Sequence, residues 1–348
     1  MTAAPSAGLS AGRLPPVAIV LAGIPALLLS IAVAVTLGPA HLTVGDVGSV
    51  VGDRLGLLDT DVSRIGQGIV WQLRLPRALL AAICGAGLGV CGAVLQSLLR
   101  NPLADPFLLG VSAGASTGAV SVVVLGFGAG AIGLTAGAFA GALVAFALVM
   151  LLASVAGGAA GHTVLAGVAG TQLFSALTSY IVITSADAEQ TRGVLFWLLG
   201  SLSGARWNDV AISAVVCAVC LVLCLSRAGA LDAFAFGQDA AASLGVRVAR
   251  LRAVLLVATA LLAATLVAAA GAIGFVGLVL PQAARLLVGP RHRALLPVTA
   301  VLGAVLLVWV DVLATTIAAP QEVPVGVVTA LVGVPAFAVL LAKRGRVS

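Results

Sequence analysis

Few side chains in this 348-residue sequence are equipped for chemistry, and most of them stand at the edges of long apolar runs. Asp311 lies inside LLVWVDVLATT, and an acid at the middle of a bilayer costs about 2.5–3.5 kcal/mol on insertion scales. It is therefore either a candidate pathway residue, such as a proton carrier, or a hydrogen-bonded acid near a helix end. Arg74 and Arg77 bracket Pro76 at the head of another run, where long basic side chains bury their stems and hold the charge at headgroup level. Cys217-x-x-Cys220 has the form of a redox or zinc pair, but no second pair or histidine stands near it. All five cysteines fall within apolar runs and read as packing residues. His41, His162 and His292 occupy loop positions far apart in sequence, so no metal site is expected. A P-loop needs a lysine after its glycine-rich turn, and the only lysine, Lys343, is in the C-terminal tail. Gly87-x-Gly89-x-x-Gly92 spells a dinucleotide fingerprint in letters only, because it sits inside a spanning run with no strand before it. Nothing here builds an enzyme, and no cofactor is expected on this chain.

The composition explains why so little chemistry is on offer. The chain is 61% hydrophobic and 9% charged, with mean hydropathy +1.21, far more apolar surface than a soluble domain can hide. Several runs approach the roughly 20 residues that cross a bilayer, and the short alternating segments of a membrane β-barrel are absent. The expected class is an all-α polytopic membrane protein. The net charge of +6 sits at the ends of apolar runs, not in a patch, so it speaks of membrane topology and not of nucleic acid. Aromatic content of 4% leaves no haem-binding or base-stacking platform in view.

The chain is organised around Trp71 to Gly118, read as a membrane hairpin: basic entry, spanning helix, the polar turn Arg100-Asn101-Pro102, returning helix. Small residues recur four apart at Gly85/Gly89, at Gly110/Gly114/Gly118 and at Gly133/Gly137/Gly141, giving flat faces for helix packing in lipid. Ten spanning helices are expected, at about 17–37, 72–99, 105–125, 131–156, 163–184, 209–226, 253–271, 274–287, 295–317 and 324–342. The polar segment 38–70 and a short interfacial helix within 185–209 lie between them. One transmembrane domain thus covers 17–342, with a membrane-external segment at about 228–252 and tails at 1–16 and 343–348. Ten crossings put both termini on one side. With the termini inside, twelve basic residues are cytoplasmic (Arg13, Arg100, Arg227, Arg247, Arg250, Arg252, Arg285, Arg291, Arg293, Lys343, Arg344, Arg346) and six external, so the positive-inside rule selects cytoplasmic termini.

RLPR at 74–77, the run ending at Gln96, NPLADPFLLGVSAGA at 101–115, FWLLGSLSGARW at 196–207, GAIGFVGLVLPQAARLLVGPRHRALLP at 271–297 and the C-terminal run from Glu322 appear in order. Together they resemble the FecCD or BtuC-like permease subunits of iron–siderophore and cobalamin ABC importers. The resemblance implies ten helices, a bacterial inner-membrane location, a second permease subunit, two cytoplasmic ATPases that carry ATP and Mg, and an extracytoplasmic binding protein. It gives Arg74 and Arg77 the role of docking that protein. It gives Asp232, Phe236, Gly237, Gln238, Asp239, Leu244 and Gly245 the role of coupling to the ATPase. The implied cargo is a ferric siderophore, with cobalamin or haem as alternatives; a proton-coupled transporter using Asp311 or a purely structural subunit are the competing classes. Two departures stand out. Thr315 occupies the place of a family arginine after Asp311, and Gln282 that of a family histidine in helix 8. The missing arginine favours pairing with a paralogue over a homodimer.

Overall fold

The computed structural model describes residues 15–38, 42–126, 133–234, 237–245 and 247–344. Helices α1 (Pro16–Thr36), α2 (Val44–Arg54) and α3 (Arg64–Gly68) come first. A π-helical turn, Ile69–Arg74, then leads without a break into α4 (Leu75–Leu98). A 3-10 turn, Pro106–Leu109, precedes α5 (Val111–Val123), followed by α6 (Leu134–Val155), α7 (Ala160–Ser185) and α8 (Ala188–Leu198). The rest comprises α9 (Trp207–Ser226), α10 (Ala228–Ala233), α11 (Gln238–Ser243), α12 (Val248–Ala270), α13 (Val276–Val288), α14 (His292–Thr316) and α15 (Val325–Arg344). Among the described residues seven helices are long and apolar enough to cross a membrane, and Val111–Val123, Val276–Val288 and Val325–Val339 are shorter apolar helices. Together they match the expected ten.

Three readings of the sequence are corrected. The second spanning helix begins at Arg64, not near residue 72. Pro76 has no N–H to give, and the widened π turn before it, in which Leu75 N–H bonds the Val70 carbonyl five residues back, carries the helix through. The segment 38–70 is not merely polar chain. It holds α2, opened by a reciprocal capping box between Thr43 and Asp46, and α3, capped by Ser63. The hairpin around Arg100–Pro102 does not close on itself: α5 packs against α6 and α7, not against α4. Proline-rich 101–110 and the left-handed Gly110 (φ 73°) turn the chain away, and the small-residue face of α6 receives it.

Glycine faces account for the closest approaches. A Cβ on Gly85 would overlap the Gly303 carbonyl of α14, and one on Gly89 would press on Thr299. Gly114 and Gly118 of α5 lie against Gly141 and Gly137 of α6, so two small-residue stripes meet backbone to backbone. Gly110 serves as the left-handed turn into α5, and Gly133 caps α6 with nothing within 4 Å of where its Cβ would be. Thr117 adds a polar stitch from α5 to α7, donating to the Phe174 carbonyl at 2.8 Å and lying 2.8 Å from the Thr178 hydroxyl.

At the centre is α4, whose most apolar window is 83% buried, and which touches α1, α9, α12, α13 and α14. Gly85→Ala must force α4 and α14 apart, and overpacking of this kind typically costs about 1–3 kcal/mol. It should lower the thermal unfolding midpoint in detergent, whereas Gly193→Ala, with nothing within 4 Å, should not.

Candidate functional site

α4 and α14 run antiparallel, and their contacts keep one register. Eight residues separate Arg77 from Gly85 on α4, and eight separate Asp311 from Gly303 on α14. At the end nearer the start of α4, the Arg77 guanidinium donates Nε–H to Asp311 Oδ2 at 2.9 Å and Nη2–H to Oδ1 at 3.0 Å. Its remaining nitrogen, Nη1, donates to both oxygens of Glu322 at 2.9 and 3.0 Å. The Arg77 and Asp311 side chains are only 16% and 10% exposed, so water screens the pair little. One planar fork thereby joins α4, α14 and the loop before α15, the geometry for which arginine is suited and lysine is not. Arg74, one turn earlier, donates to the Val35 and Thr36 carbonyls at 2.9 and 3.2 Å and so caps the C-terminus of α1. Trp71 and Trp207 stack nearby with ring centroids 4.7 Å apart; Trp207 Nε1–H bonds the Trp71 carbonyl at 2.8 Å, and Arg54 sits 5.9 Å over the Trp71 ring. Both docking candidates are thus engaged within the chain, and Asp311 is fully paired.

Twenty residues along α4, about 30 Å at 1.5 Å per residue, a second polar contact closes the other end. The His292 ring bridges two elements: Nε2 lies 2.6 Å from Ser97 Oγ on α4, and Nδ1 2.6 Å from Asp232 Oδ1 on α10. The His292 backbone N–H also donates to Asp232 Oδ1, at 2.9 Å. The first residue of α14 therefore holds the short α10 against α4. Beside it, Gln96 gathers α13: its Oε1 accepts from Gln282 Nε2 at 2.9 Å and from Arg285 Nη1, and Gln282 Nε2 also reaches the Pro102 carbonyl at 3.1 Å.

The external segment is short and articulated. Phe234 and Leu231 are fully buried beneath it, Gly237 (φ 105°) and Gly245 (φ 82°) flank α11 in left-handed turns, and Leu244 is exposed. Phe236 lies outside the described residues, as do the side chains of Gln238 and Asp239. Its expected end at 252 overlaps α12, which begins at Val248. Near the same face a recess of about 390 Å³ is lined by Leu103, Asp105, Phe107, Val168, Phe275 and Leu278, among others. Asp105 accepts the Phe107 N–H at 3.0 Å, yet burial pushes its carboxyl up to about 6. Phe275 holds a left-handed backbone (φ 66°), a strained conformation for a bulky residue. Among the described residues no group of His, Cys, Asp or Glu is arranged to hold a metal ion, and all five cysteines are free and buried.

Residues 26–343 match the profile of the FecCD transport family. The chain belongs to that family. It is 43% identical over 292 residues to the cobalamin import system permease protein BtuC of Halobacterium salinarum, covering 82% of this chain and 77% of the relative. It is 39% identical over 280 residues to the Fe(3+)-citrate import system permease protein YfmD of Bacillus subtilis, covering 80% and 83%. Among solved structures, a metal-chelate type ABC transporter in an inward-facing conformation superposes with a TM-score of 0.82 at 31% identity, covering 94% of this chain and 99% of that one. As a FecCD member this chain is a multi-pass ABC importer permease, a transport component.

Within the FecCD frame, the residues that sequence reasoning missed are Ser97, His292, Gln96 and Glu322, each of which completes a contact with a residue far away in the chain. The buried pair gives a direct test. Arg77→Met leaves Asp311 buried and unpaired, and breaking such a pair costs about 3–5 kcal/mol. Arg77→Met combined with Asp311→Leu should recover most of that loss, as read by a double-mutant cycle on thermal unfolding.

Proposed function

We propose that this FecCD permease forms half of a paired translocation path for a bulky metal chelate, a ferric siderophore in the first instance. ATP and Mg would act on two partner ATPases at the face of α10 and α11. An extracytoplasmic binding protein would deliver the cargo at the face of Arg74, Arg77 and the tryptophan pair. Both termini then lie in the cytoplasm and the chain sits in the inner membrane. The observation that carries the reading is the Asp232–His292–Ser97 contact. A short external segment with an exposed Leu244 is not free to slide; it is pinned to the ends of the two helices at the core. An ATPase that displaces α10 and α11 displaces the ends of α14 and α4 with them, and the path between two permeases can change the side it opens to.

Two observations bear on cargo. The Bacillus relative is named for Fe(3+)-citrate and the Halobacterium relative for cobalamin, so cobalamin is the second reading. Stimulation of ATP hydrolysis in vesicles by binding protein loaded with a ferric chelate, but not with cobalamin, selects the first; the reverse selects the second.

Docking at Arg74 and Arg77 is part of the same proposal. Both guanidiniums already have partners inside the chain, so an incoming carboxylate must share or replace them. Exposed ion pairs contribute about 0–1 kcal/mol each, which suits encounter and orientation more than affinity. Arg74→Gln, which keeps an N–H donor for the Val35 and Thr36 carbonyls, should slow association of the binding protein while the permease still folds; an unchanged association rate would remove Arg74 from the docking face.

The coupling role is tested by His292→Ala in the assembled transporter. The ATPases should still co-purify, and ATP hydrolysis should continue with transport per ATP reduced. Transport that survives unchanged would show the contact to be passive. Purification of the tagged chain also decides the pairing: a second related permease beside the ATPase establishes a heterodimer, and this chain alone a homodimer. Uptake in ATP-free vesicles driven by a proton gradient would replace the whole reading with an ion-coupled one.

A further inference from the structure

Arg227, Arg247 and Arg250 line a recess of about 410 Å³, together with Ala230, Gly245, Leu251 and Val254. The recess sits where α9 ends, α10 begins and α12 starts. All three arginines are exposed, and their guanidiniums have no hydrogen-bond or ion-pair partner among the described residues. The neighbouring Arg252 is occupied: its guanidinium donates to the Gly158 carbonyl at 2.7 Å and to Thr163 Oγ1 at 2.8 Å. The recess also takes in the first turn of α12, where backbone N–H groups lack intrahelical acceptors and carry partial positive charge.

The lining continues into apolar surface. Arg247, Arg250, Val254, Val257 and Leu261 follow one another at three- and four-residue steps, so they share one stripe of α12. Val254, Val257 and Leu261 are 40%, 47% and 39% exposed although α12 is otherwise largely buried. A ligand with a strongly acidic head and an apolar body fits both halves of this stripe at once: phosphate oxygens among three guanidinium forks, acyl chains along the valines and Leu261.

We propose that this recess is a binding site for an anionic phospholipid, such as diphosphatidylglycerol or phosphatidylglycerol. The charge complementarity of three unpaired arginines and the apolar stripe leading away from them identify the occupant. A partner protein's carboxylates would use the arginines and leave the stripe unexplained. The proposal rests on the permease reading only in placing the recess at the inner leaflet beside the coupling segment. A lipid held there would brace α10 and α12 where they meet.

The test uses the full chain purified in mild detergent, with bound lipid identified by native mass spectrometry. Thermal unfolding is then followed with added diphosphatidylglycerol, phosphatidylglycerol, phosphatidylethanolamine or inorganic phosphate. The wild-type chain should retain anionic phospholipid and unfold at higher temperature when it is added, with little response to phosphatidylethanolamine or phosphate. In Arg227→Gln/Arg247→Gln/Arg250→Gln the retention should fall by roughly fivefold for each arginine removed. If the triple variant fails to fold, Arg250→Glu alone, a single exposed position, should show the loss. Equal retention by wild type and variants overturns the proposal, as does a shift that inorganic phosphate reproduces in full. Variants that keep the lipid but no longer co-purify the ATPase assign the arginines to a protein contact instead. Loss of lipid with the ATPase still bound supports the site, and it would stand even if the cargo assignment failed.

Discussion

The fold depends on one close antiparallel pair. α4 and α14 meet through glycines, Gly85 against Gly303, and this brings backbones nearer than any side chain would allow. In lipid no hydrophobic gain drives two apolar helices together, so such contact relies on dispersion and on polar closures. The polar closures are at the two ends: Arg77 with Asp311 at one, Ser97 with His292 at the other. The distances along the two helices match, and slipping α14 by a single residue would break both closures and drive a side chain into the Gly85 face. Three neighbouring elements are tied to this pair by side-chain hydrogen bonds. α13 is held through Gln96 and Gln282, α1 through the cap from Arg74 and the bond from Trp309 to Ser30, and α10 through Asp232.

This constraint also says what the sequence could and could not reveal. The spans themselves were legible, because each needs only a local run of apolar residues, and nearly every expected boundary falls within a few residues of the observed one. Gly85, Gly89, Gly114, Gly118, Gly137 and Gly141 were legible as small-residue stripes, although a stripe does not name the helix it meets. The intrachain partners of Arg77 were not read: they are 234 and 245 positions away, and spacing rules act within a helix or a turn. A signal did exist. An acid inside LLVWVDVLATT demands a basic partner at its own depth, and Arg77 is the arginine that stands just inside the start of a spanning run. His292 was harder, since a histidine at a helix start beside arginines reads as an ordinary polar turn until α10 is seen to fold back on it.

The two departures from the family pattern have physical consequences that the contacts make explicit. Thr315, where an arginine was expected, turns its hydroxyl back onto the Asp311 and Val312 carbonyls, so it adds no charge to the Arg77 face. The fork itself joins two carboxylates, Asp311 and Glu322, to one guanidinium. Gln282, where a histidine was expected, keeps a donor aimed at Gln96 and at the Pro102 carbonyl, and the link between α13 and the 101–105 loop survives the change in residue type. The substitution preserves a hydrogen-bond donor while removing a group that titrates near neutral pH.

The two ends of the central pair differ in their access to water, which bears on the coupling proposed above. At the Arg77 end, opening separates a screened-from-water ion pair, and leaving one such charge unpaired costs about 3–5 kcal/mol. At the His292 end the links are three hydrogen bonds, each contributing about 0.5–1.5 kcal/mol when neutral and about 1.5–3 when one partner is charged. Asp232 there is also part-exposed, so water can take over its lone pairs as it moves. Under the proposed coupling, a push through α10 would act at the end where water can replace lost partners, and the drier Arg77 end would serve as the fulcrum. The pair would then tilt about the Arg77–Asp311–Glu322 fork, with movement largest at the end that carries α10. The glycine contact between Gly85 and Gly303, close to that fork, would be where the two backbones stay together during such a tilt.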